Sequence, residues 1–254
     1  VPMQILAIAN QKGGVGKSTL AVHLAWLALE QGRSVLMVDL DGQANSSRTF
    51  AETFTGLPAS KLFTAEPGTL TEIPQPITDR LSLIPADVEI NDVEGLDLGT
   101  IERPAAHLRA LPLAAETLVI VDTPPTLGRR LIAALIAADA VVSPLALNGY
   151  SIQGITDLQK TIHMVVRRFN PRLKNLGLLA NMVNSRSTTH GQMLAELRKV
   201  LGDKLLDVTL GHRVAISDAI DRGKPVWHGS RGESAQRAAH EMRAVCTAIL
   251  EKLQ

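Results

Sequence analysis

A glycine-rich loop that joins a short apolar run to a longer helix-forming segment is the feature that most constrains this fold. Residues 4–10, QILAIAN, predict a buried parallel strand. Residues 18–32 have the periodicity of a helix that stops at Gly32. The loop between them, NQKGGVGKST, would place backbone N–H groups at a helix N-terminus, an arrangement that binds phosphate. Strand, loop and helix in this order therefore predict a phosphate-binding loop.

This loop departs from the usual phosphate-binding pattern at its entrance. The usual form, G-x-x-x-x-G-K-[S/T], requires glycine at position 11, where the chain has Gln11, and an additional lysine, Lys12, follows it. Within the loop, Lys17 is expected to reach the β- and γ-phosphates, and the Ser18 hydroxyl is expected to ligate Mg²⁺. The predicted nucleotide-binding residues of the loop are Gly13, Gly14, Val15, Gly16, Lys17, Ser18 and Thr19.

A second candidate site residue follows the clearest strand in the sequence, TLVIVDTPP at residues 117–125. Asp122 ends the apolar part of this strand, which is the position of the carboxylate that holds Mg²⁺ in phosphate-loop ATPases. We predict that Asp122 holds Mg²⁺ through a bridging water. The simpler alternative is an aspartate that caps a turn or a helix.

Two further aspartates end the strand SVLMVDLD at residues 34–41. Asp39 and Asp41 lie two residues apart, so an extended strand would present both on one face. Because a carboxylate beside the phosphates can position the attacking water, we predict that Asp41 acts in hydrolysis. Asp39 is predicted to assist catalysis by supporting the loop or the metal shell. The alternative is an Asp41-Gly42 turn followed by a helix cap.

Strand and helix patterns alternate along the whole chain, apart from a proline-rich region at residues 48–80 that predicts short helices and a surface loop. This alternation predicts an α/β fold with a single doubly wound, mostly parallel sheet flanked by helices, in one domain over residues 1–254. Further strands are predicted at 81–87, 140–145, 176–183 and 205–210, and helices at 101–116, 127–137, 151–169, 192–201, 216–221 and 233–253. The three candidate segments, 10–19, 39–45 and 122–125, then fall at the carboxyl ends of strands, where such sheets bind ligands.

Composition excludes several other classes of protein. The longest nearly apolar run, residues 131–147, is interrupted by polar residues and proline, whereas a membrane span needs about 20 apolar residues. The single cysteine, Cys246, excludes an internal disulfide framework and is expected to pack in the core. The seven histidines show no metal-ligand spacing, and aromatic residues make up 3% of the chain, which disfavours base stacking. We therefore expect a cytoplasmic protein with no membrane partner.

The segments KGGVGKST, VDLDGQANSS, VDTPPTLG, NGYSIQG and GKPVW together resemble the ParA family of partition ATPases, which are P-loop NTPases of the deviant Walker A group. The resemblance extends from residue 5 to about residue 251 and is nearest to small plasmid proteins of the IncP type. It implies ATP and Mg²⁺ as cofactors and weak intrinsic ATP hydrolysis. It also implies a homodimer that encloses two ATP molecules, in which Lys12, the family's signature lysine, reaches the partner's phosphates.

Further partners are implied by the same resemblance: non-specific nucleoid DNA and a ParB-like centromere-binding protein that stimulates hydrolysis. Residues 186–254 carry more basic than acidic residues, unlike the rest of the chain. Arg186 matches a DNA-binding arginine of the family, and Arg213 could replace a second one at the position of Ala215. The other candidates for this surface, which could equally be ordinary solvated charges, are Arg222, Lys224 and Arg231. Asn181 matches a position that reads adenine, and its alternative is a turn residue.

The chain also differs from the family. The usual D-P-Q-G-N sequence is DGQAN here, and the loss of proline is expected to loosen this loop. We expect no helix-turn-helix domain ahead of the first strand. A MinD-like membrane ATPase, an iron–sulfur reductase, a bacterial tyrosine kinase and a dethiobiotin-synthetase-like ligase fit less well, because each lacks a required feature here or leaves Lys12 unexplained. A ParA-like ATPase that positions a different cargo stays an open alternative.

Overall fold

A central parallel sheet organises the fold in the computed structural model, which describes residues 2–147 and 151–254. Residues 148–150 of the NGYSIQG motif lie outside the described residues. The strands of the described chain are β1 (Gln4–Ile8), β2 (Val35–Asp39), β3 (Gln75–Pro76), β4 (Leu81–Ile84), β5 (Leu118–Asp122), β6 (Ala140–Ala146), β7 (Lys174–Val183) and β8 (Leu205–Gly211). Their order is β3-β4-β2-β5-β1-β6-β7-β8, and every neighbouring pair is parallel except β3 with β4.

Helices cover both faces of this sheet. In the described residues they are α1 (Lys17–Glu30), α2 (Asn45–Phe50), α3 (Lys61–Thr64), α4 (Arg103–Ala110), α5 (Arg129–Ala137), α6 (Ile152–Arg168), α7 (Thr188–Leu201), α8 (Val214–Asp221) and α9 (Glu233–Leu253). Helices α1, α8 and α9 contribute to one hydrophobic core, and α3 to α6 contribute to the core on the opposite face. Because both faces are covered, β2, β5 and β6 are buried along their whole length. The predicted doubly wound α/β fold is confirmed.

The position of β1 determines where a ligand can bind. Strand β1 lies between β5 and β6. The chain crosses from β1 to β2, beyond β5, on one side of β1, and it later crosses from β5 to β6 on the other side. The connections that leave β1, β2 and β5 therefore diverge from neighbouring strand ends, which creates the crevice typical of doubly wound sheets.

Several predicted element boundaries differ from the structure. Strand β2 ends at Asp39 rather than at residue 41. The helix predicted over 101–116 ends at residue 110 after two 3₁₀ helices, Val88–Gly95 and Leu98–Glu102, which the sequence pattern did not indicate. Helix α7 begins earlier than predicted because the Ser187 side chain caps it by accepting from His190 N.

The prediction that Cys246 packs in the core agrees with the structure. Cys246 is fully buried on α9, and this burial raises the pKa of its thiol. Trp26 is half-buried and packs against the core on the α1 face. Among the described residues, the helices do not combine the length and apolar character needed to cross a bilayer.

Candidate nucleotide-binding site

The predicted phosphate loop occupies residues 9–16 and connects β1 to α1. Gly14 and Gly16 have φ angles of 70° and 87°, in the left-handed region that favours glycine. A Cβ at Gly16 would lie 2.4 Å from Asn181 Nδ2, which itself donates to the Val15 carbonyl at 2.8 Å. Asn181 therefore supports the loop from β7, and its side-chain oxygen Oδ1 accepts from Met182 N. The predicted contact of Asn181 with adenine stays a prediction.

The side chains of Asn10 and Lys17 hold the entrance of the loop in place. Asn10 donates to the Pro144 carbonyl at 2.7 Å and accepts from Lys12 N at 2.9 Å. The Lys17 ammonium donates to the Lys12 carbonyl at 3.1 Å. Burial lowers the pKa of Lys17, although the charges of Asp122 and Asp41 oppose this shift. Lys17 is therefore a largely desolvated cation held inside the loop.

A cavity of about 630 Å³ opens in front of the loop. This volume lies within the range of small-molecule sites, which is about 300–1,000 Å³. The loop supplies one wall, and the segment after β2 together with α2 supplies another. The residues that line the cavity are Gly13, Gly14, Gly16, Lys17, Ser18, Thr19, Asp41, Gln43, Asn45, Arg48, Thr49, Pro125, Met182, Ile220 and Asp221.

Asp122 is fully buried at the end of β5. Its Oδ2 accepts from the Ser46 hydroxyl at 2.9 Å, whereas its Oδ1 is buried and makes no hydrogen bond within the described part of the chain. Burial, followed by the nearby Asp39 charge, raises the pKa of Asp122, while the hydroxyls of Ser18 and Ser46 and the charge of Lys17 oppose this shift. An unpaired carboxylate oxygen near a serine hydroxyl fits a hard cation such as Mg²⁺.

The number of protein ligands also fits magnesium. Within residues 2–147 and 151–254, no group of three His, Cys, Asp or Glu side chains is placed to hold a metal ion by itself. Magnesium characteristically takes one or two protein ligands and completes its coordination with water and substrate phosphates. Ser18 would be a direct ligand, and Asp122 would hold the ion through a bridging water.

Asp39 and Asp41 do not share an extended face, because β2 ends at Asp39 and the chain turns there. Asp39 is fully buried, and its Oδ1 accepts from Asp41 N at 3.0 Å. Its Oδ2 accepts from the backbone N and the hydroxyl of Ser47, at 2.9 and 2.7 Å. Burial raises the pKa of Asp39, and these hydrogen bonds oppose the shift. Both carboxylate oxygens thus hold the turn into α2, which is the loop-supporting geometry.

Asp41 is the aspartate of this pair that faces the cavity. It is half-buried, its Oδ1 accepts from Gln43 N at 3.0 Å, and it lines the cavity together with Lys17. Lys12 lies outside this cavity and is exposed at the rim, where it lines a smaller cavity of about 360 Å³ with Ser151 and Gly154 of the α6 N-terminus.

The five candidate DNA-contacting residues lie in different settings. Arg186 is exposed and shares a cavity of about 540 Å³ with Arg213 and Arg237, whereas Arg222 and Arg231 line a separate one of about 270 Å³. Lys224 is exposed and lines neither cavity.

Arg213 has a partner within the fold. Its guanidinium donates to both carboxylate oxygens of Glu241, at 2.6 and 3.2 Å, and this contact raises the pKa of Arg213. It therefore fastens the turn after β8 to α9. Arg237 lines the same cavity as Arg186, but the sequence analysis did not name it as a candidate. Its spacing from Glu233, one helical turn earlier, indicates only an ion pair along the helix and not a place in this cavity.

The segment that carries Lys224 is attached directly to α1. His23, fully buried on α1, bonds the Thr19 carbonyl through Nδ1 at 2.8 Å and accepts from Val226 N through Nε2 at 3.2 Å. At the C-terminal end of the same helix, Glu30 accepts from Trp227 Nε1 at 2.6 Å. The helix that begins at the phosphate loop thus also anchors residues 223–228. Sequence analysis missed this role of His23.

The close approach at Gly16 leads to a prediction about stability. Gly16→Ala is expected to lower the free energy of unfolding by about 2 kcal/mol without nucleotide, because alanine is strained at this φ angle and its Cβ would collide with Asn181. Gly13→Ala is the matched control, since a Cβ there would make only an ordinary 3.9 Å contact with Pro125 and should change stability by less than about 0.5 kcal/mol. Denaturant unfolding measures both variants, and equal losses would contradict the prediction.

Comparison with known proteins agrees with this geometry. A family model described as an AAA domain matches residues 3–175. Protein IncC of Escherichia coli is 40% identical over 99% of this chain and 70% of its own length. The chain belongs to the ParA family of partition ATPases. Within that family, the chromosome partitioning protein ParA of Caulobacter vibrioides is 35% identical over 89% of this chain and 86% of its own length. The predicted family resemblance is confirmed.

Solved structures share the fold and bind nucleotides. A cobyrinic acid a,c-diamide synthase from Mycobacterium smegmatis, with a bound ATP analogue and magnesium, superposes with a TM-score of 0.76 at 27% identity, over 98% of this chain and 95% of its own. A putative plasmid partition protein from Borrelia burgdorferi bound to AMPPNP has a TM-score of 0.78 at 23% identity, over 98% and 99%. The second likeness supports the fold alone.

Proposed function

We propose that this chain is an ATP-driven switch for plasmid or chromosome partition. Its ATP-bound homodimer binds DNA without sequence preference, and ATP hydrolysis stimulated by a ParB-like protein releases it. The observation that carries this proposal is the cavity that Lys17, Ser18 and Asp41 line at the strand ends, with the unpaired oxygen of Asp122 buried close to Lys17 and Ser18. The identity to IncC and ParA over most of the chain supports the assignment to partition.

The residues of the cavity divide the chemistry of hydrolysis between them. Backbone N–H groups of the loop and the Lys17 ammonium bind the phosphates, and Ser18 and Asp122 would hold Mg²⁺, which neutralises phosphate charge when bound. Asp41 orients a water whose oxygen forms a bond to the γ-phosphorus. The bond from phosphorus to the bridging oxygen breaks, ADP leaves, and the proton of the water passes through Asp41 to the released phosphate. Asp39 acts as a positioning residue through its bonds to Asp41 N and Ser47.

Lys12 is proposed to act across the dimer. Its backbone N is fixed by Asn10 while its side chain is exposed at the rim, outside the cavity that would hold this subunit's own phosphates. A cation supplied from a partner to the β–γ bridge links nucleotide state to dimer formation, in the manner of an arginine finger.

The likeness to the cobyrinic acid a,c-diamide synthase, at 27% identity, suggests a second candidate function. An ATP-dependent ligase would use the same phosphate loop to activate a carboxylate of a small molecule. The two functions differ in what increases ATP turnover: DNA and a partition partner in the first, a carboxylate acceptor in the second. The 40% identity to IncC favours partition.

DNA binding tests the proposed function most directly. We expect binding to non-specific duplex DNA with ATP but not with ADP or without nucleotide, and a steep loss of affinity as salt rises, because phosphate contacts release counterions. Arg186→Ala should weaken DNA binding about tenfold. It should also reduce the slope of log affinity against log salt concentration by about one for each arginine removed. Titrations of labelled duplex across a salt series measure both quantities.

Arg172→Ala is the matched control for this test. Arg172 is also exposed, but it precedes β7, whereas Arg186 follows the carboxyl end of that strand. Equal losses in the two variants would remove Arg186 from the DNA surface. If DNA does not bind in any nucleotide state, partition through nucleoid DNA is wrong, and positioning of another cargo or action at a membrane takes its place.

A further inference from the structure

A buried arginine outside the nucleotide cavity joins two segments that border it. Arg130 lies in the first turn of α5 and is 6% exposed. Its Nη1 donates to the Leu40 carbonyl at 3.1 Å and to Asn91 Oδ1 at 3.0 Å, and its Nε donates to Glu94 Oε1 at 2.9 Å. Leu40 immediately precedes Asp41. The guanidinium is thus bonded to the base of the loop that carries Asp41.

Glu94 extends this connection to the other side of the site. Its Oε2 accepts from Arg129 N at 2.7 Å, and the Arg129 guanidinium donates to its carbonyl oxygen, so that Glu94 caps α5 from a different element. Burial would raise the pKa of Glu94, but the hydrogen bonds from Arg130 and Arg129 outweigh it and lower that pKa. Helix α5 follows the loop that begins at Asp122. Glu94 therefore holds the far end of the loop that follows Asp122.

The 3₁₀ helix Val88–Gly95 contacts both loops closely. A Cβ added to Gly42 would lie 2.5 Å from Asn91 Oδ1, and one added to Gly128 would lie 2.4 Å from Glu94 Oε2. Gly42 is the neighbour of Asp41, and Gly128 precedes α5. One short element therefore packs against the glycine of each loop, and Arg130 ties all three parts together.

We propose that Arg130, held by Glu94 and Asn91, is a positioning residue for ATP hydrolysis. It fixes the loop that carries Asp41 relative to the segment after Asp122, and it does so without lining the nucleotide cavity. Burying a charged pair is costly and often gives no net stability, so its geometry is more informative than its energy. An attacking group misplaced by about 1 Å can lose about 100-fold in rate. The inference rests on the proposed role of Asp41.

Its test separates the rate of hydrolysis from the binding of ATP. In Arg130→Ala, the single-turnover rate of ATP hydrolysis should fall by roughly 10- to 100-fold, while the Kd for ATP stays within about threefold of wild type, because Arg130 does not line the cavity. Arg130→Lys should recover part of the rate. The double variant Arg130→Ala/Asp41→Ala should be no slower than Asp41→Ala alone, since residues that act through one another are not additive.

Arg109→Ala is the matched control. Arg109, on α4, also bonds a carboxylate and a backbone carbonyl, Asp139 Oδ1 at 2.6 Å and Ala137 O at 3.3 Å, but it lies beside the amino end of β6. Its loss should leave the rate at the wild-type value. If Arg130→Ala does not fold, Asn91→Ala replaces it, because Asn91 is exposed and its side chain contacts Arg130 and Gly42. Asn91→Ala should slow hydrolysis severalfold with the Kd unchanged.

Three results would overturn the inference. They are a wild-type rate in Arg130→Ala, a hydrolysis rate and an ATP affinity that fall together in a variant that still unfolds cooperatively, or additive losses in the double variant. Failure of the proposed role of Asp41 gives a different result, because Asp41→Ala would then hydrolyse ATP at the wild-type rate. A slow Asp41→Ala beside a normal Arg130→Ala rejects only the positioning role.

Discussion

Lys17→Ala is expected to abolish ATP binding at concentrations that saturate the wild-type protein. Charge-assisted hydrogen bonds contribute about 1.5–3 kcal/mol each, so the loss of a cation that contacts two phosphates should weaken binding at least about 100-fold. The fold should keep its stability, because Lys17 is a desolvated cation whose pKa burial already lowers. Calorimetric titration with ATP and Mg²⁺, beside a thermal melt, measures both effects.

Lys12→Ala is the matched control, since it removes a lysine from the same loop. Lys12 lies outside the cavity, so this variant should bind ATP within a few-fold of wild type but should not form the ATP-dependent dimer in sedimentation experiments. Normal ATP binding by Lys17→Ala would refute its role. An ATP-dependent dimer of normal stability in Lys12→Ala would refute action across the interface.

Asp41→Ala is expected to trap the ATP-bound dimer on DNA. Loss of the group that positions water should slow hydrolysis by about 100-fold or more, whereas the phosphate contacts from Lys17 and the loop stay in place. The dimer should then dissociate from DNA more slowly than wild type in the presence of ATP and the partner protein. Phosphate release and dissociation from immobilised DNA measure the two steps.

Asp79→Ala controls for the loss of a negative charge. Asp79 is exposed in the turn between β3 and β4. Because β4 follows this turn and runs parallel to β2, Asp79 lies at the end of the sheet opposite the site. Its replacement should leave both rates unchanged. Unchanged turnover in Asp41→Ala would remove Asp41 from the mechanism.

The central strands were predictable because their sequences are apolar on both faces, which a sheet covered by helices requires. The edge strand β3 was not predictable, because its two residues, Gln75 and Pro76, have no strand pattern and are ordered by pairing with β4. The same holds for Val88–Gly95. Its sequence is mixed, and its position depends on contacts of Asn91 and Glu94 with distant residues.

In the site, sequence reasoning located the phosphate loop, Asp41 and Asp122, because each follows directly from the end of an apolar strand. It assigned water positioning to Asp41 and support of the loop or the metal shell to Asp39, but it could not foresee the turn after β2 or the hydrogen bonds from Ser47 to Asp39. Nor could it show that Arg213 is paired, because its partner Glu241 lies on α9 and no local pattern connects them.

The position of Cys246 has a practical consequence for following this switch. The chain's single thiol faces the interior from α9, and burial shifts its pKa away from the reactive thiolate form. Alkylating dyes and mild oxidants should therefore leave the native protein unmodified. A cysteine introduced on the surface would carry the only label, so dimer closure and DNA release can be recorded by fluorescence without first removing the natural residue.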